Sequence, residues 1–374
     1  MLRLSKLVQT RRIKDFPPHK GHHNRRTMSK KHKKARKVSV GLDIGGCSIK
    51  LVALNREGGD KKLRLWKYGV KGIPAGSGKP SDQKTGELIG ELYAETKIDP
   101  SEVISALPGT SAVVRYIQMP RMTLQEAKEA LKYEASQYIP FKAEEAQMDC
   151  HILDGASSQR GDTMKLMLVA TRTSEAERRV EMLKAVGLSP VILDVDSLAV
   201  LNAFETTGIH SREKHAVGLI NIGSRQTNLN VIQDGHPAFT RDVEVGGGGI
   251  TVAIARGLGI GLADAEGLKV SGDAIIQPHL EIVLRSIVHQ LRSSFDYYQG
   301  SSGKEVKKVY ISGGTSLLKS LREFLTDSLG IPVEPWDSFE GIDTSDFKDD
   351  TALRHLAPLL TVAVGLASRR MNSS

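Results

Sequence analysis

The sequence predicts an α/β protein built by duplication, with two lobes and a small α+β insertion in the first. Residues 38–54, VSVGLDIGGCSIKLVAL, read as two β-strands joined by a tight glycine turn. Val38, Val40 and Leu42 alternate before the turn, and Ile49, Leu51 and Leu54 follow it. Residues 217–232, VGLINIGSRQTNLNVI, repeat the pattern. Gly41-Leu42-Asp43-Ile44-Gly45 matches Leu219-Ile220-Asn221-Ile222-Gly223 position by position, and Leu51 matches Leu229. Each copy precedes a third strand-like run, 63–70 in the first and 237–245 in the second, the latter across the Asp234-Gly235 turn. Between the copies, residues 113–188 read as strand, helix, strand, strand, helix, a compact unit inserted in the first half. The expected divisions are a basic tail over 1–37, a first lobe from 38–112, 189–213 and 352–371, the insertion 113–188, and a second lobe 214–351.

Composition narrows the function classes. The chain has 374 residues, 40% apolar and 25% charged, enough for two domains of ordinary globular type. Two cysteines, Cys47 and Cys150, argue against a disulfide scaffold and for a reducing, cytoplasmic setting. The apolar run 357–367 is too short to span a bilayer. The first 37 residues lack the apolar core of a signal peptide. The net charge of +9 is local: residues 1–37 hold 14 Lys/Arg against one acid, Asp15, so the remainder carries 38 Lys/Arg against 42 Asp/Glu. Such a tail reads as a solvated extension or as a contact for anionic lipid or nucleic acid. Met28 offers a second start directly before the first strand.

The elements follow from periodicity and punctuation. A Gly/Pro/Ser-rich loop, 72–80, leads into a helix over 86–97, and 102–106 and 113–118 read as strands. Thr123-Leu124-Gln125-Glu126 forms a capping box for a helix with Leu124, Ala127, Leu131, Ala135 and Tyr138 on one face, stopping before Pro140. Strands 148–153 and 164–170 flank a polar hairpin, 155–162. Ser174-Glu175-Ala176-Glu177 reads as a second capping box, for a helix that Gly187 ends. Strand 191–195 then runs into a helix through Leu198, Leu201 and Phe204. In the second half, helices are expected over 250–258, 263–269, 280–298 and 316–329, and a strand over 306–312. The third of these helices offers Ile282, Ile287, Val288, Leu291 and Phe295 as core candidates. A last apolar helix covers 355–369.

Several of these junctions carry chemistry. Gly45 and Gly46 let a ligand approach the backbone closely, while Ser48 offers a hydroxyl, Lys50 a cation and Asp43 a carboxylate. Backbone N–H groups with a lysine suit phosphate, and a nearby carboxylate suits its hydrated metal. A plain glycine hairpin is the alternative for one such turn, but a second, facing turn suggests a grip on one polyphosphate from both sides. Asp194 and Asp196 stand at a strand's carboxyl end, where open α/β sheets bind ligands; Asp196 also suits a helix N-cap. Gly246-Gly247-Gly248-Gly249 before a helix permits backbone contact with a ligand or serves as a connector. Gly313-Gly314-Thr315, between strand and helix, forms a platform for a base or ribose.

The order of these motifs over residues 38–370 resembles the actin-like (ribonuclease H-like) ATPase superfamily, which includes actin, the 70-kDa heat-shock chaperones, sugar kinases and FtsA. The stretch ISALPGTSAVVRYIQMPRMTLQEAKEALKYEASQYIP looks like the small subdomain shared by FtsA and the PilM family of type IV pilus assembly proteins, and the run from Met119 through Phe141 is close to the PilM pattern, as are Asp194-Val195-Asp196-Ser197-Leu198-Ala199 and Asn221-Ile222-Gly223. The resemblance implies ATP and Mg²⁺ as ligands. Asp43, Gly45, Gly46, Cys47, Ser48 and Lys50 would form the first phosphate loop, with Asp43 near the metal's water shell. Gly223, Ser224, Arg225, Gln226 and Thr227 would form the second. Gly246 and Gly247 would approach ribose and phosphates, Glu266 and Lys269 adenosine, and Gly313, Gly314 and Thr315 base and sugar. Asp196, with Asp194 as the alternative, would take the position that in actin relatives helps position water or metal; Asp196 is thus the candidate catalytic carboxylate and the second residue expected at the metal, through water. Where active relatives begin the second loop with Asp, this chain has Asn221, which neither acts as a base nor contributes charge. Binding with weak or no hydrolysis is therefore expected.

The same resemblance implies a cytoplasmic platform protein that docks the cytoplasmic tail of a PilN-like inner-membrane protein, with the pilus motor ATPases as further candidates. Membrane association would be indirect and no nucleic acid is expected. A related type II secretion system is a close variant. Two alternatives belong to the same superfamily. An FtsA-like division protein typically ends in an amphipathic membrane helix, whereas this sequence ends SRRMNSS after its last helix. A small-molecule kinase needs a carboxylate base at the γ-phosphate, for which Asp196 is the one candidate.

Overall fold

A computed structural model describes residues 37–56, 62–74, 80–99, 101–153 and 162–371. The basic tail through residue 36, most of the loop 72–80 and most of the hairpin 155–162 lie outside the described residues. In chain order, β1 (Lys37–Ile44), β2 (Ser48–Arg56) and β3 (Arg64–Gly72) form an antiparallel meander. Helix α1 (Asp82–Thr96) follows, then β4 (Glu102–Leu107), β5 (Ala112–Pro120), α2 (Leu124–Glu134), β6 (Ala146–Ile152), β7 (Thr163–Arg172) and α3 (Thr173–Ala185). Strand β8 (Ser189–Val195) and helix α4 (Asp196–Thr207) complete the first half. The second half opens on β9 (Ala216–Ile222), β10 (Thr227–Gln233) and β11 (His236–Val243). It continues through α5 (Gly247–Leu258), α6 (Leu262–Ser271), α7 (Gln277–Ser302), β12 (Val306–Ser312), α8 (Leu321–Leu329) and β13 (Val333–Pro335). The last element is α9 (Thr351–Arg369).

The duplication holds at the level of sheet topology. One sheet has the order β3-β2-β1-β4-β8 and the other β11-β10-β9-β12-β13. In each, the first three strands are antiparallel and the last two join in parallel. The register repeats too: Asp43 pairs with Lys50 across the first turn, and Asn221 with Asn228 across the second. A third sheet, β5-β7-β6, with α2 over it, forms the insertion and has its own core of Ile117, Met119, Leu131, Leu166 and Leu168.

Helices α4 and α9 lie between the two large sheets. Their buried side chains, among them Leu198, Phe204, Leu360 and Leu366, share one core with Leu54 of the first lobe and Leu219 and Tyr310 of the second. The contact between these helices is close: a Cβ on Gly365 would fall on the carbonyl oxygen of Ala199. Any side chain there would force the helices apart, so glycine is required by space rather than by backbone conformation. Helix α9 is long and apolar enough to cross a membrane by length and composition, but most of its apolar window is buried within the protein. Its last turn carries Arg369, which pairs at 2.8 Å with Asp194 of β8, both nearly inaccessible.

Capping decides several boundaries. The box predicted at Thr123 forms: its hydroxyl accepts from the Glu126 N–H, and the Glu126 carboxylate accepts from Thr123. The box predicted at Ser174 does not form. Helix α3 starts one residue earlier, at Thr173, behind an Arg172 N-cap with no side-chain bond. Helix α1 starts at Asp82 rather than residue 86, because Ser81 caps it by accepting from the Lys84 N–H. The helix expected over 316–329 is a 3₁₀ turn, Gly314–Leu317, followed by α8. Helix α3 packs Met182 and Leu183 with Leu88 and Leu92 of α1, and Val180 with Leu107 and Leu193, so it lies on the first-lobe sheet as the crossover between β4 and β8. Ile282, a core candidate, is 66% exposed, whereas Ile287, Val288 and Leu291 are buried as expected.

Candidate functional site

The motifs that are distant in sequence meet in one cleft between the lobes. A cavity of about 760 Å³ is lined by Asp43, Gly45, Gly46, Cys47, Ser48 and Lys50 from the first turn. Gly223, Ser224, Arg225 and Gln226 line it from the second turn, and Asp196 from the start of α4. Glu266, Lys269, Gly313, Gly314 and Thr315 line it as well. Gly246 instead lines an adjoining cavity of about 1020 Å³. Thr227 and Gly247 line neither. The Thr227 hydroxyl donates to the Val245 carbonyl, and the Gly247 N–H donates to the Gly223 carbonyl, so both brace the second turn from behind.

The two turns touch. The Cys47 thiol donates to the Ser224 hydroxyl at 2.7 Å, and a Cβ on Gly46 would stand 2.7 Å from Cγ of Arg225. Behind the first turn, Lys50 Nζ donates to Asp43 Oδ2 at 2.9 Å. The equivalent position behind the second turn is neutral: Asn221 Nδ2 donates to Asn228 Oδ1 at 2.8 Å, and the Ser312 hydroxyl donates to Asn221 Oδ1. One turn therefore carries a cross-strand ion pair where its twin carries an amide pair. Asn228 was legible in advance, since the repeat that matches Leu51 to Leu229 also sets Lys50 against Asn228.

Asp196 joins the lobes. It is the first residue of α4 rather than its N-cap, and its Oδ1 accepts from the Gly109 and Ser197 N–H groups at 2.8 and 2.7 Å. The side chains of Gln226 and Asn228, from the second lobe, also donate to it. Asn228 Nδ2 reaches Asp242 Oδ1 as well, at 2.5 Å. Burial pushes the Asp196 carboxyl well above its usual range, and the charges of Asp242 and Asp43 push the same way. Asp194, by contrast, points away from the cleft into its pair with Arg369. Sequence reasoning missed Asp242, because its approach to Asp196 depends on how the second sheet meets the first.

Asp242 sets a pH dependence. Burial raises it from 3.8 to about 6. A carboxyl with a raised folded pKa holds stability that is fully present below its ordinary pKa and lost as pH rises through about 6. Asp242→Asn keeps an oxygen for Asn228 and removes the ionisation. The variant is expected to melt higher than wild type at pH 7.5, by about 1–2 kcal/mol of stability, with the gap closing by pH 4. Melting curves of both proteins across that range check it; parallel profiles would contradict it.

Elsewhere on the cavity wall, Lys269 Nζ donates to Glu266 Oε2 at 2.6 Å and to the Thr251 hydroxyl at 2.9 Å. Thr315 donates to the Gly223 carbonyl at 3.1 Å, tying the glycine platform to the second turn. Gly313 has φ +89°, and a Cβ there would lie 2.5 Å from the Ile222 carbonyl oxygen, so no other residue fits. Its N–H donates to the carbonyl of Pro358 in α9. Among the described residues no cluster of three or more His, Cys, Asp or Glu could hold a metal by itself.

A family profile described as Type IV pilus assembly protein PilM matches residues 41–371. The chain belongs to that family. The PilM assignment agrees with a solved structure, a PilM-PilN type IV pilus biogenesis complex, to which the chain is 29% identical. That match covers 90% of this chain and 99% of the other, with a TM-score of 0.80. The chain is also similar in fold to ethanolamine utilization protein EutJ from Carboxydothermus hydrogenoformans, at 17% identity over 88% of this chain and 89% of the other, with a TM-score of 0.54. The duplicated two-lobe architecture is the actin-like ATPase fold. In this PilM protein, residues of all four motifs line one cavity.

Proposed function

We propose that the chain is an ATP-binding scaffold of a type IV pilus inner-membrane platform that docks the cytoplasmic tail of a PilN-like protein and hydrolyses ATP weakly or not at all. The observation that carries the nucleotide reading is the meeting of both turns, the Glu266–Lys269 pair and the Gly313 platform around one cavity. The residues fit a nucleoside triphosphate. A Cβ on Gly45 would stand 2.5 Å from Lys50 Nζ and one on Gly46 2.7 Å from Cγ of Arg225, so glycine at both positions lets these two cations lie against the turns. Mg²⁺, when bound with ATP, would neutralise phosphate charge, with Asp43 and Asp196 holding its water shell. Asp43 is already aligned by Lys50, and Asp196 by two backbone N–H groups.

Weak hydrolysis follows from the second turn. Asn221 is neutral, is held by Asn228 and Ser312, and cannot accept a proton from water. The one cleft carboxyl placed to do so, Asp196, has its Oδ1 committed to hydrogen bonds and is pushed toward its protonated form. The chain's own work is therefore to hold the lobes closed on a ligand, which needs only a higher affinity of the closed form for it. A cytoplasmic location at the inner membrane, through the partner, belongs to the same reading, as does docking at the groove between first lobe and insertion. A labelled peptide of the PilN-like tail tests it. Saturable binding whose affinity changes with Mg·ATP is expected, with at most trace phosphate release. Absence of binding, or rapid phosphate transfer to a small-molecule acceptor, would sink it.

A further inference from the structure

The cleft holds a cation that neither turn contributes. Helix α3 places Arg178 and Arg179 on the cavity wall. Arg178 is committed: its Nε and Nη2 donate to the two oxygens of Asp82 at 2.7 and 2.9 Å. Lys50 is committed to Asp43 and Lys269 to Glu266. Arg179 differs. Its Nη1 is buried and has no hydrogen-bond partner among the described residues. The carboxylates that act on it electrostatically are those of Asp43, Asp82 and Asp196, the first two from the first lobe's cleft edge and the third from the start of α4. Asp43 and Asp196 are also the two carboxylates proposed above for the metal's water shell, so Arg179 lies within electrostatic reach of both.

A buried guanidinium nitrogen without an acceptor is costly, and burial already opposes the charge of Arg179. An anion with several oxygens would satisfy it, and the planar fork of arginine suits a phosphoryl group. Mg²⁺ accompanies the terminal phosphates of a bound nucleoside triphosphate, and Arg179 shares the influence of the two carboxylates proposed to hold that metal's water shell. We infer that Arg179 takes the terminal phosphate of a bound nucleoside triphosphate and makes the cleft discriminate triphosphate from diphosphate. This rests on the nucleotide reading above. Arg179 acts here as a specificity residue and a sensor of the bound state, since α3 also joins the insertion to the first-lobe sheet.

The test is equilibrium titration of the full chain with Mg·ATP and with Mg·ADP, read by the melting point and by displacement of a fluorescent nucleotide. Wild type is expected to bind ATP more tightly than ADP. R179Q is expected to lose about tenfold to a hundredfold in ATP affinity with ADP affinity held, because a hydrogen-bonded charge pair is removed. R179K is expected to recover part of the preference, and R322Q, which breaks an exposed ion pair with Glu323 on α8 outside the cleft, to keep all of it. The ligand-free melting point of each variant reports folding separately. An unchanged ATP-to-ADP ratio in R179Q, with wild type binding both, overturns the role of Arg179 alone. No shift of wild type with either nucleotide overturns the nucleotide reading and this inference with it.

Discussion

Replacing Arg369 by methionine is expected to lower folding stability by about 3–5 kcal/mol, the range for breaking a buried ion pair from one side. Arg369 and Asp194 are 3% and 2% exposed. Even with the guanidinium 2.8 Å away, burial pushes the Asp194 carboxyl above its usual value. Without Arg369, the hydrogen bonds left to that carboxylate among the described residues are those from the Val195 N–H and Asn202. The position matters for function because α9 packs on the first-lobe sheet and on α4, and also accepts the Gly313 N–H of the second lobe. The double variant D194L/R369M removes both charges and is expected to recover most of the loss, as an apolar pair of similar volume does elsewhere. Urea denaturation of the three proteins checks this. A single-variant loss under about 1 kcal/mol would mean the pair is solvated in the native state.

Lys50→Met is expected to lower ATP affinity by at least about a hundredfold. A charge-assisted contact is worth about 1.5–3 kcal/mol, and its loss here is compounded. The side chains of Lys50 and Asp43 are 10% and 13% exposed and face each other behind the first turn. Removing the ammonium leaves Asp43 as a bare negative charge beside the phosphates, so the cleft loses an attraction and gains a repulsion. Asn228→Met, at the equivalent position of the second turn, is expected to do less directly to phosphate, since no cation is lost there. It would instead free Asn221 and Asp242 from their shared partner. Competition with a fluorescent nucleotide measures both. Equal losses in the two variants would contradict the unequal roles assigned to the turns.

The parts of the site that were legible in the sequence are local. The glycine turns showed because a two-residue alternation on either side of glycine leaves a mark that needs no tertiary context, and because it occurs twice. The repeat carried more than was read from it: matching Leu51 to Leu229 also fixes Asn228 opposite Lys50. Arg179, Asp82 and Asp242 were not legible. Each reaches the cleft only through a crossover or through the meeting of two sheets, and charged residues on helices read equally well as solvated faces. Ile282 shows the converse error. The 3.6-residue period marks a face of α7, but whether that face is covered along its whole length depends on where neighbouring helices end. At Ser174 the capping pattern was present and unused, because α3 begins at Thr173 and puts the serine inside its first turn.

A single nucleotide held between both turns would join the lobes, and titration calorimetry of Mg·ATP into the full chain, repeated with K50M from the first lobe and with Thr315→Val from the second, measures this most directly. One nucleotide per chain is expected for wild type, with binding weakened by both variants, since a single ligand touching both lobes must register a change in either. Absence of binding at millimolar ATP, or loss confined to one lobe's variant with the other unaffected, would contradict it.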